Sequence, residues 1–181
     1  DADHIVHPRL LAECTPHMEN NPTTVALTFP EIILGTSFYA RVRRFERFFY
    51  EGTVIDGSRF LRGAAVEKIG GFTTDWQHGP DDWDLDIRLR SLGSLDHLSL
   101  FSETPEDFEY EINKKFGLKI SEYPLGILHN ESKLTVLQHL MKKRHYSRDF
   151  LKYIKKYGKK HPVLKKQIGF KYRFAIVFFE N

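Results

Sequence analysis

A single cysteine, Cys14, stands in 181 residues, so no disulfide can close within the chain and nothing points to a stapled, secreted scaffold. A reducing, cytoplasmic compartment is the expectation. No apolar run approaches the roughly 20 residues that a membrane-spanning helix needs, and no signal-peptide pattern is present. Repeats and low-complexity tracts are absent too, which argues against solenoid and propeller architectures. Another scarcity is regional. Residues 133–181 hold only 2 acidic residues against 14 lysines and arginines, net +12. Residues 1–132 hold 22 acidic residues against 13 cationic ones, net −9, so the overall charge of +3 conceals an acidic body with a basic tail. Such asymmetry directs the tail toward something anionic, such as phosphate-bearing lipid headgroups. Nucleic acid would attract the same charge, but no nucleic-acid motif accompanies it, and no nucleic-acid partner is expected.

What is present is globular: 41% apolar residues and 14% aromatics can fill the core of one full domain. Pro8 opens a short helix that runs to about Cys14, with Asp3 or His4 upstream. Residues 23–29, β-branched and apolar, read as a strand stopped by Pro30. A helix over 36–51 sets Phe38, Val42, Phe45, Phe48 and Phe49 against Arg41, Arg43, Arg44 and Arg47. Residues 57–62 read as a strand or approach loop, 64–69 as a short helix, and Gly70-Gly71 as its stop. Behind Gly79-Pro80 lies the clearest helix, capped by Asp81 or Asp82, with Asp84–Arg88 and Asp86–Arg90 spaced as ion pairs and Gly93 at its end. Residues 95–101 and 118–129 read as extended, flanking a polar acidic segment at 103–111. One long basic amphipathic helix is expected from Lys133 to about Tyr157, followed by an aromatic tail over 168–179.

The chemistry lies in placed carboxylates. Asp1 and Asp3 at i and i+2 share one face of a strand end and can approach a single hard cation, Mg²⁺ or Mn²⁺. A simpler reading of Asp3 is that it starts the helix after Pro8. The Asp81-Asp82 pair has a similar ambiguity, since a helix N-terminus attracts carboxylates. One cap suffices, however, and two adjacent aspartates behind a Gly-Pro fit a site that holds a carboxylate near a reacting hydroxyl as general base. His129, after an apolar run, is either structural or a ligand suited to Mn²⁺ more than Mg²⁺.

Taken in order, these pieces resemble the second half of a family 2 glycosyltransferase with the GT-A fold. The residues that carry the resemblance are Asp1-Ala2-Asp3-His4 as the Asp-X-Asp motif, Arg62 to Phe72 as the acceptor-side segment, Asp81-Asp82-Trp83 through Arg88 to Gly93, and His129-Asn130-Glu131-Ser132. The Lys/Arg/Tyr-rich helix found in membrane-associated members follows. The fold class implied is α/β, a partial GT-A-like (Rossmann-like) mixed sheet with flanking helices plus the basic C-terminal helix. Residues 1–132 would form the metal- and acceptor-side half of a catalytic domain, and 133–181 the tail.

The resemblance implies transfer of a sugar from a nucleotide-diphosphate sugar to a hydroxyl of a glycan or lipid-linked acceptor, with inversion. Asp1 and Asp3 would hold Mg²⁺ or Mn²⁺ against the diphosphate, His129 would complete that site, Asp82 would be the base beside Asp81, and Arg62 and Trp83 would line the acceptor pocket. In this family about half of the catalytic domain precedes the Asp-X-Asp motif, so either a piece of a longer protein or a second chain that supplies that half is expected, with weak or no donor binding by these residues alone. Peripheral attachment to the cytoplasmic membrane face, through 133–181, is also expected. Two other classes stay open on the residues themselves: a metal-dependent phosphohydrolase, because clustered aspartates also build two-metal sites, and a non-catalytic module that binds anionic surfaces.

Overall fold

The computed structural model describes residues 3–76, 79–176 and 179. It is a mixed α/β structure built on two small three-stranded sheets. The first sheet joins β1 (His4–Val6), β6 (Ile127–His129) and β3 (Glu31–Ile33), with β6 central, antiparallel to β1 and parallel to β3. The second places β2 (Thr24–Thr28) between β4 (Phe60–Leu61), antiparallel, and β5 (Ser94–His97), parallel.

Pro30 explains why there are two sheets rather than one. β2 and β3 are nearly one strand, but proline cannot donate to a ladder, and the chain changes sheets there. The Pro30 carbonyl still accepts from the Ile127 amide at 2.9 Å. Gly126 lies so close that a Cβ on it would meet the Pro30 oxygen at 2.1 Å, so only glycine allows the two segments to approach.

Both faces of β2 are covered, and all five of its residues are buried, as a central strand in an α/β arrangement requires. Helix α1 (Leu10–Asn20) packs Leu10, Cys14 and Met18, one residue per turn, against Leu27 and Phe29. That i, i+4, i+8 stripe carries the helix past the expected end at Cys14 and through Pro16. Burial pushes the Cys14 thiol up to about 11. Against Val25 and Ala26 lie Ala65 of α3 (Gly63–Lys68) and Leu85 and Leu89 of α4 (Asp81–Leu89). Ile32, Leu34 and Leu128 form a second core with Ile112 and Phe116 of α5 (Glu106–Phe116). The polar segment expected at 103–111 is therefore largely helical. Acidic residues in its first turn and Gly117 in the left-handed conformation at its end define its limits.

Of the expected ion pairs on α4, Asp84–Arg88 forms at 2.8 Å. Asp86–Arg90 does not form among the described residues: Asp86 turns inward and accepts the Ser58 amide at 3.2 Å, while Arg90 stays exposed. Within 118–129 the regular elements are a short 3-10 turn, Ile120–Glu122, and β6.

The long helix expected over 133–157 is two. Thr135 and Gln138 form a capping box at the start of α6 (Val136–Tyr146), a 3-10 turn covers Ser147–Asp149, and α7 spans Phe150–Tyr157. Breaking there lets α7 bury Tyr153 completely, its hydroxyl donating to Gln167 of α8 (Pro162–Ile168) at 2.7 Å. The Gln167 amide donates in turn to the Val54 carbonyl at 3.0 Å. Lys156 and Tyr157 also reach back to Asp84 at 2.8 and 2.6 Å. The described part of the tail is thus packed on the body. No helix among the described residues is long and apolar enough to cross a membrane.

Candidate functional site

A cleft of about 920 Å³ opens where the first sheet, the start of α4, helix α2 (Phe38–Phe48) and α6 converge. β1 brings Asp3 and His4 to it, β3 brings Glu31, and the end of β6 brings His129. Because His4 pairs with His129 across the β1–β6 ladder and Ile33 pairs with it from the other side, the strand register alone sets the two imidazoles together. Their rings meet edge to face with centroids 4.4 Å apart.

His129 bridges two carboxylates, with Nδ1 at 2.6 Å from Glu31 Oε1 and Nε2 at 3.1 Å from Asp3 Oδ2. Burial disfavours its charged form, but the Glu31 hydrogen bond and charge, with Glu131 and Asp3, outweigh burial and raise its pKa. Glu31 is also the hub of a buried ion network. It accepts from Arg47 Nη2 at 2.5 Å and from Arg59, and Asp56 shares both guanidiniums at 2.8 and 3.5 Å. Burial pushes the Glu31 carboxyl up, yet the His129 hydrogen bond and the two arginines hold it well below the usual carboxylate range. On the next turn of α2, Arg43 binds Glu131 at 3.1 Å and also Glu46.

Opposite this network stand Asp81 and Asp82. Neither side chain caps α4; Pro80 occupies the cap position without a side-chain hydrogen bond. The expected capping role is therefore not taken up, and both carboxylates line the cleft. Asp82 faces solvent within an enclosing wall, and Gly57 packs against it, a Cβ there falling 3.1 Å from that of Asp82. Partial desolvation, then the charge of Asp81, raises its pKa. Gly79, at φ +107°, fixes the approach: a Cβ on it would meet the Tyr146 carbonyl oxygen at 2.2 Å, so the start of α4 and the end of α6 close on one another.

Of the residues expected from the sequence, Asp3, His129, Asp81, Asp82 and Trp83 line one cleft. Trp83 donates to the Ile55 carbonyl at 3.0 Å. Arg62 is not among the lining residues; its guanidinium binds the carbonyls of Thr24, Met18 and Asn21 at 3.0, 2.8 and 3.3 Å and so ties β2 to the end of α1. Asp1 lies outside the described residues. Asp3 is not the start of α1, which begins behind Arg9.

Asp3, His4 and His129 each offer one ligand atom, all within 4.8 Å of one another. One carboxylate oxygen and two imidazole nitrogens form a donor set that suits Mn²⁺ and later divalent ions better than Mg²⁺. The Glu31 contact on the far ring nitrogen of His129 is the orienting partner such ligands require. The sequence reading gave His4 no ligand role, set the arginines of α2 only on a helix face, and passed over Glu31 and Arg59. One signal for Glu31 was available: it is the only charge in the stretch from Val25 to Leu34, whose one other polar residue is Thr28.

The cleft therefore combines a corner with a candidate ligand set, two carboxylates that do not cap α4, and a wall with Lys142, Lys143 and His139 from α6. Such a site can hold a divalent ion and a polyanion while keeping a base near a neutral hydroxyl. Comparison with protein-family models, curated proteins and solved structures gave no match for this chain.

Proposed function

We propose that this cleft belongs to an inverting glycosyltransferase of the GT-A type, which moves a sugar from a nucleotide-diphosphate sugar to an acceptor hydroxyl on a glycan or lipid-linked acceptor. The observation that carries the reading is that Asp3 and His129, from the sheet, share one cleft with Asp81 and Asp82, from the start of α4.

In this reading Asp3, His4 and His129 hold the divalent ion, with Mn²⁺ preferred over Mg²⁺. When bound, the ion supplies neutralisation of charge on the departing diphosphate. Glu31 fixes the tautomer and orientation of His129. Lys142 and Lys143 face the donor phosphates from the wall. The Asp82 carboxylate takes the proton of the acceptor hydroxyl as that oxygen bonds to the anomeric carbon; the bond to the diphosphate oxygen breaks, and its electron pair leaves with the nucleotide. The raised pKa of Asp82 suits a group that must accept a proton. A two-metal phosphohydrolase would need a second set of ligands, and Asp3–His4–His129 is the one such group found among the described residues.

The test is Asp82→Asn in the intact protein, assayed with a panel of nucleotide sugars and Mn²⁺. Transfer should fall by at least about 100-fold, while Mn²⁺-dependent nucleotide-sugar binding persists. Unchanged turnover refutes the assignment.

A further inference from the structure

Helix α2 is amphipathic the wrong way round for a surface helix, which normally turns its apolar stripe to the core. Three of its four arginines point inward: the side chains of Arg43 and Arg47 are 13% and 16% exposed, and Arg44 donates to the Ile33 and Gly35 carbonyls. Its phenylalanines point outward: Phe38, Phe45 and Phe48 are 77%, 65% and 62% exposed. Glu31, Asp56 and Glu131 impose this orientation by holding the guanidiniums.

Helix α6 repeats the arrangement. His139, Lys142 and Lys143 line the cleft, whereas Leu137, Leu140 and Met141, on the opposite side, are exposed. The two helices meet where the rings of Tyr39 and His139 stand edge to face, centroids 5.9 Å apart. Each therefore gives polar side chains to the cleft and leaves an apolar stripe exposed.

We propose that the outer faces of α2 and α6 form a seat for an anionic lipid bilayer. Exposed apolar patches of this kind mark interaction sites, and charge identifies the occupant. Arg41 borders the stripe of α2 and Arg144 lies within that of α6, both exposed, in a chain whose residues 133–181 carry net +12. Phenylalanine, leucine and methionine sink into the acyl boundary while arginine and lysine meet anionic headgroups. A second copy of this chain would instead set like charges face to face. The sequence locates anionic-surface binding in 133–181 alone; the structure adds α2, from the acidic body, as an equal partner. The inference stands independently of the transfer chemistry.

Sedimentation with vesicles of phosphatidylcholine and phosphatidylglycerol in equal parts, and with phosphatidylcholine alone, tests it. The wild-type protein should partition onto the mixed vesicles and about ten-fold more weakly onto the neutral ones. Phe38→Glu/Phe45→Glu and Leu137→Glu/Met141→Glu should each reduce partitioning about ten-fold or more with unchanged circular dichroism and melting temperature; Phe38→Ser/Phe45→Ser gives the same comparison without added charge. Absence of wild-type binding, partitioning that neither face affects, or a dimer in sedimentation velocity that these substitutions dissociate would each overturn it, the last by assigning the faces to a second copy.

Discussion

Replacing Glu31 with glutamine keeps the side chain's shape and removes one negative charge from between two guanidiniums and the His129 ring. Glu31 is 8% exposed, so water cannot substitute for the lost charge. Arg47 and Arg59 would be left to share Asp56, which already contacts both, and one face of the new side chain would present an amide N–H₂ to a guanidinium or to the His129 ring. Removing one partner of a buried ion pair costs about 3–5 kcal/mol, and with two arginines dependent on this carboxylate the upper half of that range is expected. Against a typical stability of about 5–15 kcal/mol, this is a large fraction.

Urea unfolding at neutral pH reads it directly: with a slope of about 2 kcal/mol/M, the midpoint should fall by about 2 M. The pH dependence supplies a second check. The folded pKa of Glu31 lies below its ordinary value of 4.5, so its contribution is present above that value and is lost as pH falls toward the folded pKa. The gap between wild type and variant should therefore be full at pH 7 and shrink as the solution is acidified below about pH 4.5. A loss under about 1 kcal/mol at neutral pH, or one that does not diminish in acid, would refute the account of the network as mutually dependent charges.

Asp86 gives the opposite sign. Burial, against the Ser58 hydrogen bonds, pushes its carboxyl up to about 6, so its charged form destabilises the fold and stability is lost as pH rises through about 6. Asp86→Asn should therefore stabilise by up to about 3 kcal/mol at pH 7.5, from about two units at 1.36 kcal/mol each, and by almost nothing below about pH 4; thermal melts at the two pH values decide, and a gain independent of pH counts against it. Asp84, fully buried, receives Arg88, Lys156 and Tyr157. Asp84→Ala should cost about 3–4 kcal/mol and release α7, so that limited proteolysis begins near residues 147–160; intact α7 in a destabilised variant would show that Tyr153 and Gln167 hold it alone.

The elements legible in the sequence were those whose signals are local. Thr24–Thr28 followed by Pro30 gave the strand and its end, Gly79-Pro80 followed by aspartates gave α4, and i, i+4 spacing gave Asp84–Arg88. Acidic spacing also brought Asp3, Asp81 and Asp82 forward as a group, and they do share a cleft. What was not legible depends on distant partners. Asp86 lost Arg90 to a backbone amide 28 residues earlier. Arg62, exposed in appearance on the sequence, is spent on carbonyls 38 to 44 residues away. The break between α6 and α7 contains no glycine or proline; it is set by the burial of Tyr153 against α8. Helix α5 did have local signals, Pro105 before it and Gly117 after it, but its polar composition masked them.

The case of α2 shows why periodicity could not settle the matter. A 3.6-residue period separates phenylalanines from arginines, but it carries no information about which side meets water. By apolar area alone the phenylalanines should be inside. They are outside because an alternative with the arginines exposed would leave Glu31, Asp56 and Glu131 buried without their cations, and unpaired buried carboxylates cost more than exposed aromatic rings. The direction of the helix is thus decided by three acidic residues contributed by β3, the loop before β4 and the segment after β6, none of which lies on α2 itself. The same choice supplies the cations that hold Glu31 behind His129 and leaves an apolar stripe of α2 exposed to water. Site and surface are consequently two faces of one ion network, and a substitution that frees the arginines should disturb both at once.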